Sequence, residues 1–199
     1  MSKSEVTDEA LIRRVFLEAR SQNGWTERDV EPGKLVEAYN LAKMAPTSVN
    51  GQPMRLVFMR SKEAKERLQR ALSPSNHSKL IDAPLALIVA YDVQFHDKLG
   101  SLFPHNPGVS KLFEGNRSAA EETAFRNGSL QAAYFIMALR AVGLDVSPIS
   151  GFDRKLVQDE FLKDTSYEVN FLCGVGYGDS GKLFDRLPRL EFDEISSFV

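Results

Sequence analysis

Hydrophobic positions recur along this 199-residue chain in two rhythms, one helical and one alternating or continuous. Leu11, Ile12, Val15, Phe16 and Ala19 fall at helical spacing, which predicts an opening helix with Thr7 as N-cap, Asp8 and Glu9 in its first turn, and a stop near Gly24. From Pro32, a favoured first-turn residue, Leu35, Val36, Tyr39 and Ala42 continue a second helix. It must end by Ala45, because Pro46 disfavours helical geometry in the residue before it. "RLVFMR" (55–60) reads as a strand, "KEAKERLQRAL" (62–72) as a surface helix, and "PLALIVAYD" (84–92) as a strand buried on both faces. The longest helix is predicted over 118–144 and is apolar nearly all round in its second half. Such a helix is buried on every side or lies in a subunit interface, and Gly143 is its expected stop. A short strand to Ser147, a helix from about Asp153 to Lys163, a strand over 167–178 and a basic tail segment, "KLFDRLPRL", complete the chain. Strands separated by helices predict a single domain over 1–199 of the α+β or layered α/β class, with one central sheet covered by helices.

Composition narrows the function classes. A chain 43% hydrophobic and 26% charged has the apolar content for a real core. Its net charge of -2 offers no basic face for a phosphate backbone, so nucleic acid is set aside as a partner. The apolar run from Ala83 to Ala90 is far shorter than the ~20 residues of a membrane helix, and "MSKSEVTDEALIRR" is too polar and acidic for a signal peptide. With Cys173 as the one cysteine, no intramolecular disulfide forms, and the expectation is a soluble, cytoplasmic protein without a membrane partner. His77, His96 and His105 lack metal-ligand spacing, so no metal site is expected. Nor is there a nucleophile elbow, a phosphate-binding P-loop or a dinucleotide fingerprint; the glycines of "GVGYGDSG" (174–181) follow another arrangement. Polar loops at helix ends without an obvious nucleophile or base point to chemistry supplied by a bound cofactor.

Those loops are specific. "ARSQNGW" (19–25), "APTSVNGQP" (45–53), "SNHSKLIDAP" (75–84), "PISGFD" (148–153) and "RLPRL" (186–190) stand in the order and spacing of the FMN-dependent nitroreductase superfamily, which the chain resembles over nearly its whole length. "LFPH" (102–105), "AEETAFRN" (120–127), "SGFDR" (150–154) and "GYGDS" (176–180) are similar to its malonic semialdehyde reductase branch. The resemblance implies a nitroreductase-like fold with a mixed or antiparallel sheet. It also implies an interlocked homodimer with the long helix at the interface, and two FMN sites built from both chains.

By position in the family pattern, Arg20 and Ser21 would serve the FMN phosphate or the pyrimidine edge, and Asn23 belongs with them to the implied cofactor-binding set. Arg186 or Arg189 would take the phosphate, to which a guanidinium offers a forked, permanent charge. Asn76 and Lys79 would face the uracil-like edge, and Pro148, Ile149, Ser150 and Gly151 would bring backbone N–H groups near flavin N5. Pro46, Thr47, Ser48 and Asn50 would close over the cofactor from the second subunit, their short neutral donors suited to a sugar-like chain and an aromatic ring. Read without the family, Thr47, Ser48 and Asn50 equally make turn hydrogen bonds, Ser150 or Asp153 a helix cap, and the arginines solvated charges.

The implied activity is ping-pong hydride transfer from NADPH or NADH through FMN to malonic semialdehyde. The alternatives are a broad nitro- or quinone-reducing enzyme and a flavin-binding protein without turnover. Arg126 and Arg117 are candidates to meet a substrate carboxylate. A proton for the new alkoxide comes from His105, from solvent or from the flavin. Against the wider superfamily, Ala19 and Asn23 replace basic residues, Met54 a frequent tryptophan, and Ser150 a glutamate.

Overall fold

Strand β2, Leu85–Asp92, is buried at every residue and sits at the centre of the fold, as its unbroken apolar run requires. In the computed structural model, which describes residues 9–199, β2 pairs with β1 (Met54–Met59) on one side and with β4 (Tyr167–Gly176) on the other. β3 (Asp145–Ile149) closes the order β1-β2-β4-β3. All three pairings are antiparallel, which decides between the mixed and antiparallel sheets expected. One parallel bridge, Ser21 to Val146, runs along the outer edge of β3.

Helices α1 (Pro32–Ala42), α2 (Lys62–Gln69), α3 (His77–Leu80), α4 (Leu99–Leu102), α5 (Arg117–Ala141), α6 (Arg154–Val157) and α7 (Phe192–Ile195) surround the sheet. The two-residue period of β2 builds two cores. Leu85, Leu87 and Val89 pack with Ala42, Phe135 and Leu139 under α1 and α5, whereas Ala86, Ile88 and Ala90 pack with Leu68, Leu80 and Leu162 on the other face. Each fully buried leucine or isoleucine there contributes about 2 kcal/mol of transfer free energy. A third cluster, built on Tyr91, Phe95, Phe113 and Ala124, closes one end of the sheet.

Helix α5 ends where its sequence predicts. Val142 is the C-cap and Gly143 adopts φ +92; Leu144 N–H donates to Leu139 O at 2.9 Å and Gly143 N–H to Arg140 O at 3.0 Å. This is the Schellman pattern, with glycine at the left-handed position. Only one side of α5 meets the core. Phe125, Leu130 and Tyr134 remain 48%, 46% and 40% exposed, an apolar face that the single chain does not cover.

The opening helix departs from expectation. Its helical residues run from 9 into a π-helical turn, Arg13–Leu17, and end there instead of near Gly24. Residues 21–25 satisfy their backbone on the sheet: Gln22 N–H donates to Val146 O at 3.1 Å, and Trp25 bridges Gly178. The expected cap Thr7 and first-turn Asp8 lie outside the described residues. The helix predicted from Asp153 to Lys163 is α6 continued by a π-turn, Gln158–Leu162, with the Asp153 carboxylate accepting from Leu156 N–H at 3.0 Å. Among the described residues, no helix is long and apolar enough to cross a membrane.

Candidate functional site

The residues marked in the sequence gather into three groups. The first lies where the end of α5 meets the outer edge of β3. Arg20, Ser21, Asn23, Arg186 and Arg189 line one cleft of about 590 Å³, together with Arg140 and Asp185. The Ser21–Val146 bridge sets Arg20 and Ser21 on the sheet edge. Arg186 Nη2 donates to Leu17 O at 2.8 Å and Ala19 O at 3.2 Å, Arg189 Nη1 to Leu187 O at 2.9 Å, and Arg20 to Phe184 O. These bonds aim the guanidinium groups while leaving further donors on each. Among the described residues, none of the four cleft arginines forms an ion pair. Burial draws the Arg140 pKa below the ordinary guanidinium value, opposed by Cys173 and Asp145, and its Nη1 donates to Val15 O at 3.3 Å.

The second group lies at the far end of β3. Asn76 Nδ2 donates to Gly151 O at 3.0 Å, which joins the start of α3 to "PISGFD". Lys79 is half-buried in α3, and its carbonyl accepts from Trp25 Nε1 at 3.2 Å. One expectation needs correction here: Pro148 has no N–H, so it offers no backbone donor to a ligand. Ile149 turns its side chain into the core at 5% exposure, so only its backbone bears on the expected role. Pro148 sits in β3 because that is an edge strand. Ser150 and Gly151, both exposed, carry backbone N–H groups at this end of the strand. From Val146 to Gly151 the edge spans about 16 Å at strand rise, so the first two groups line one elongated rim.

The third group is the loop 46–53, and it is held in an unusual backbone. Val49, Asn50 and Gln52 have φ of 50, 51 and 44, which costs an L-residue about 1–2 kcal/mol each and is a genuine outlier for β-branched valine. The turn hydrogen bonds left open by the sequence do exist: Thr47 Oγ1 accepts from Gln52 N–H at 3.3 Å, and Asn50 Nδ2 donates to Leu102 O at 2.8 Å. Pro46, Ser48 and Asn50 remain exposed.

Residues that sequence reasoning passed over hold this loop. Ser48 N–H donates to Asn127 Oδ1 at 2.7 Å, and Met54 N–H donates to Gln131 Oε1 at 3.0 Å. Arg55, in a partly buried ion pair with Asp92 at 2.6 Å, donates from Nη1 to Gln52 O at 2.9 Å. The available signal was a pair of amide residues four apart on the inward face of a helix otherwise lined by alanine, glycine, phenylalanine and leucine there.

Within one chain the loop and the arginine cleft are far apart. Asn127 and Arg140 are thirteen residues apart on α5, about 20 Å along its axis. The remaining candidates divide. His105 is exposed, its ring 3.8 Å from that of Phe103, beside the Leu102 carbonyl that Asn50 holds. Arg126 pairs with Glu122 on the surface of α5, and Arg117 pairs with Glu121 at 2.5 Å; neither joins the other marked residues. Among the described residues, no group of acidic, histidine or cysteine side chains is arranged to hold a metal.

The comparisons with known proteins agree with this architecture. A Ralstonia pickettii protein that carries the provisional name NADH dehydrogenase/NAD(P)H nitroreductase HadB is 53% identical over 185 residues, covering 92% of this chain and 94% of that protein. A Bacillus subtilis structure provisionally described as a nitroreductase superposes with a TM-score of 0.85 at 21% identity, over 100% of both chains. An Exiguobacterium sibiricum structure with the same provisional description, in complex with FMN, gives 0.84 at 20% identity, covering 94% of this chain and 97% of the other. The family model described as the Nitroreductase family matches residues 18–177, and the chain belongs to that family.

Proposed function

We propose that this chain is an FMN-dependent NAD(P)H oxidoreductase acting as a homodimer, with each flavin held between the arginine cleft of one chain and the loop 46–50 of its partner. The observation that carries this reading is the splitting of the marked residues into two sets about 20 Å apart along α5, next to an exposed apolar face on the same helix.

The residues present fit the cofactor. Arg20, Arg140, Arg186 and Arg189 face the single carboxylate of Asp185 in one cleft, a surplus of charge suited to a dianionic phosphate. Arg186, oriented by two carbonyls, presents its remaining N–H groups as a fork to the phosphate oxygens. Along the rim, Asn76 and the N–H groups of Ser150 and Gly151 would hold the polar edge of the ring, and Lys79 would favour negative charge there. Thr47, Ser48 and Asn50 of the partner loop would meet the sugar chain. Bound FMN supplies two-electron hydride chemistry between a nicotinamide and an electrophile.

Two substrate readings remain. The name of the Ralstonia relative favours broad reduction of nitro compounds, with quinones as a related electrophile class, and NADH or NADPH as reductant. Reduction of malonic semialdehyde to 3-hydroxypropionate rests on motif resemblance. It is supported locally by Ser150, which puts no carboxylate on the exposed rim to repel an anionic substrate. Anaerobic NADPH or NADH should bleach the yellow holoprotein. Turnover of nitrofurazone, menadione and malonic semialdehyde, measured side by side, then ranks the substrates. A holoprotein that neither nicotinamide bleaches is a flavin-binding protein without turnover, and the enzymatic reading fails.

A further inference from the structure

We propose that Asn127 and Gln131 are positioning residues: two carboxamide oxygens, one helical turn apart on α5, clamp the loop 46–53 into its left-handed backbone and so set flavin affinity before the flavin arrives. The inference rests on the reading above that this loop meets FMN.

Both side chains are buried, at 5% and 3% exposure, on a helix face whose other members make the apolar core. A leucine would pack at either position; a buried amide is retained at a cost unless its polar atoms are used. Here they are used on the loop. Asn127 accepts from Ser48 N–H and Gln131 from Met54 N–H, so the two bonds bracket the three left-handed residues Val49, Asn50 and Gln52. Asn127 Nδ2 donates to Thr123 O at 2.8 Å within its own helix, which fixes the amide with its oxygen toward the loop. Spacing of i and i+4 puts both oxygens on one side of α5. Because the clamp lies behind the loop, the outer edge carrying Ser48 and Asn50 stays open to a ligand. A backbone ordered in advance binds with less loss of conformational entropy than one ordered by its ligand.

The test compares Asn127→Leu and Gln131→Leu with Gln158→Leu, whose amide bonds the backbone of Tyr167 and Val169 away from the loop. FMN is titrated into each apoprotein by flavin-fluorescence quenching, with the Tm recorded beside it. The loop variants should raise the Kd for FMN tenfold or more, and the control should change it less than twofold even where its Tm falls as far. Equal Kd values for wild type and the loop variants, or an equal rise in the control, would overturn the clamp. Should a loop variant fail to fold, hydrogen exchange on the wild type decides. The Ser48 and Met54 amides must be as protected in the apoprotein as with FMN; protection that appears only on FMN addition overturns the proposal. Wild-type protein that binds no FMN defeats the functional reading instead, and is distinguishable because no variant then differs.

Discussion

At the scale of single residues, chemistry is decided by what each side chain already holds. Arg20, Arg186 and Arg189 donate to carbonyls and, among the described residues, to no carboxylate, so their charge stays available in the cleft. A charge-assisted hydrogen bond contributes about 1.5–3 kcal/mol, so Arg20→Ala and Arg186→Ala together should weaken FMN binding by about a hundredfold or more. Arg67→Ala, which removes a surface pair with Glu160, should leave it unchanged; fluorescence titration checks both. Cys173 behaves differently. Burial pushes its thiol up to about 12, so it stays protonated in the folded chain while an unfolded thiol ionises near about 8.5. Its contribution is therefore full below the unfolded value and is lost as pH rises toward about 12. Iodoacetamide at mildly alkaline pH should label Cys173 slowly in the native protein and rapidly in urea.

At the scale of elements, ends and joins carry the energetics. Gly143 stops α5 at φ +92, where alanine is strained, so Gly143→Ala should cost about 1 kcal/mol or more, read as a lower urea midpoint. Glu31 stands at the N-cap of α1, accepting from the Tyr177 hydroxyl at 2.9 Å and pairing with Arg28 at 3.2 Å. Backbone hydrogen bonding first, then Tyr177 and Arg28, holds its carboxyl down to about 2. A depressed carboxyl contributes stability that is present above its unfolded value, near about 4.3, and is lost as pH falls toward about 2. Urea midpoints of wild type and Glu31→Gln should thus differ at neutral pH and converge across that acid window. A constant difference at every pH would remove Glu31 from acid unfolding.

At the scale of the whole molecule, the single chain leaves apolar surface uncovered. Besides Phe125, Leu130 and Tyr134 on α5, the segment after Leu183 exposes Phe184, Leu187, Leu190, Phe192 and Phe198, the last at 92%. Exposed apolar surface on this scale marks an interaction site, and the proposed homodimer would cover it. Light scattering should return about twice the 22.3 kDa chain mass. A chain truncated after Leu183 loses Arg186 and Arg189 along with this surface, and should retain neither the dimer nor FMN. A monomer that holds the flavin would contradict the shared site.

Much of this was legible in the order of residues, because rhythm and stop signals act locally. The buried strand 84–92, the helix halted at Gly143 and the polar loops at helix ends follow from spacing, glycine and proline. What folding alone decided lies in contacts between distant segments. Ser21, inside the helix that spacing predicts, instead pairs with the edge of β3, and Arg20 reaches the cleft of Arg186 by the same pairing. The left-handed turn at Val49 opposes its own local preference and persists through hydrogen bonds that its flanking N–H groups donate to amide oxygens of α5. Local preference selects each residue's backbone basin, but side chains far apart in sequence converge only through strand register and helix packing, which no single segment encodes.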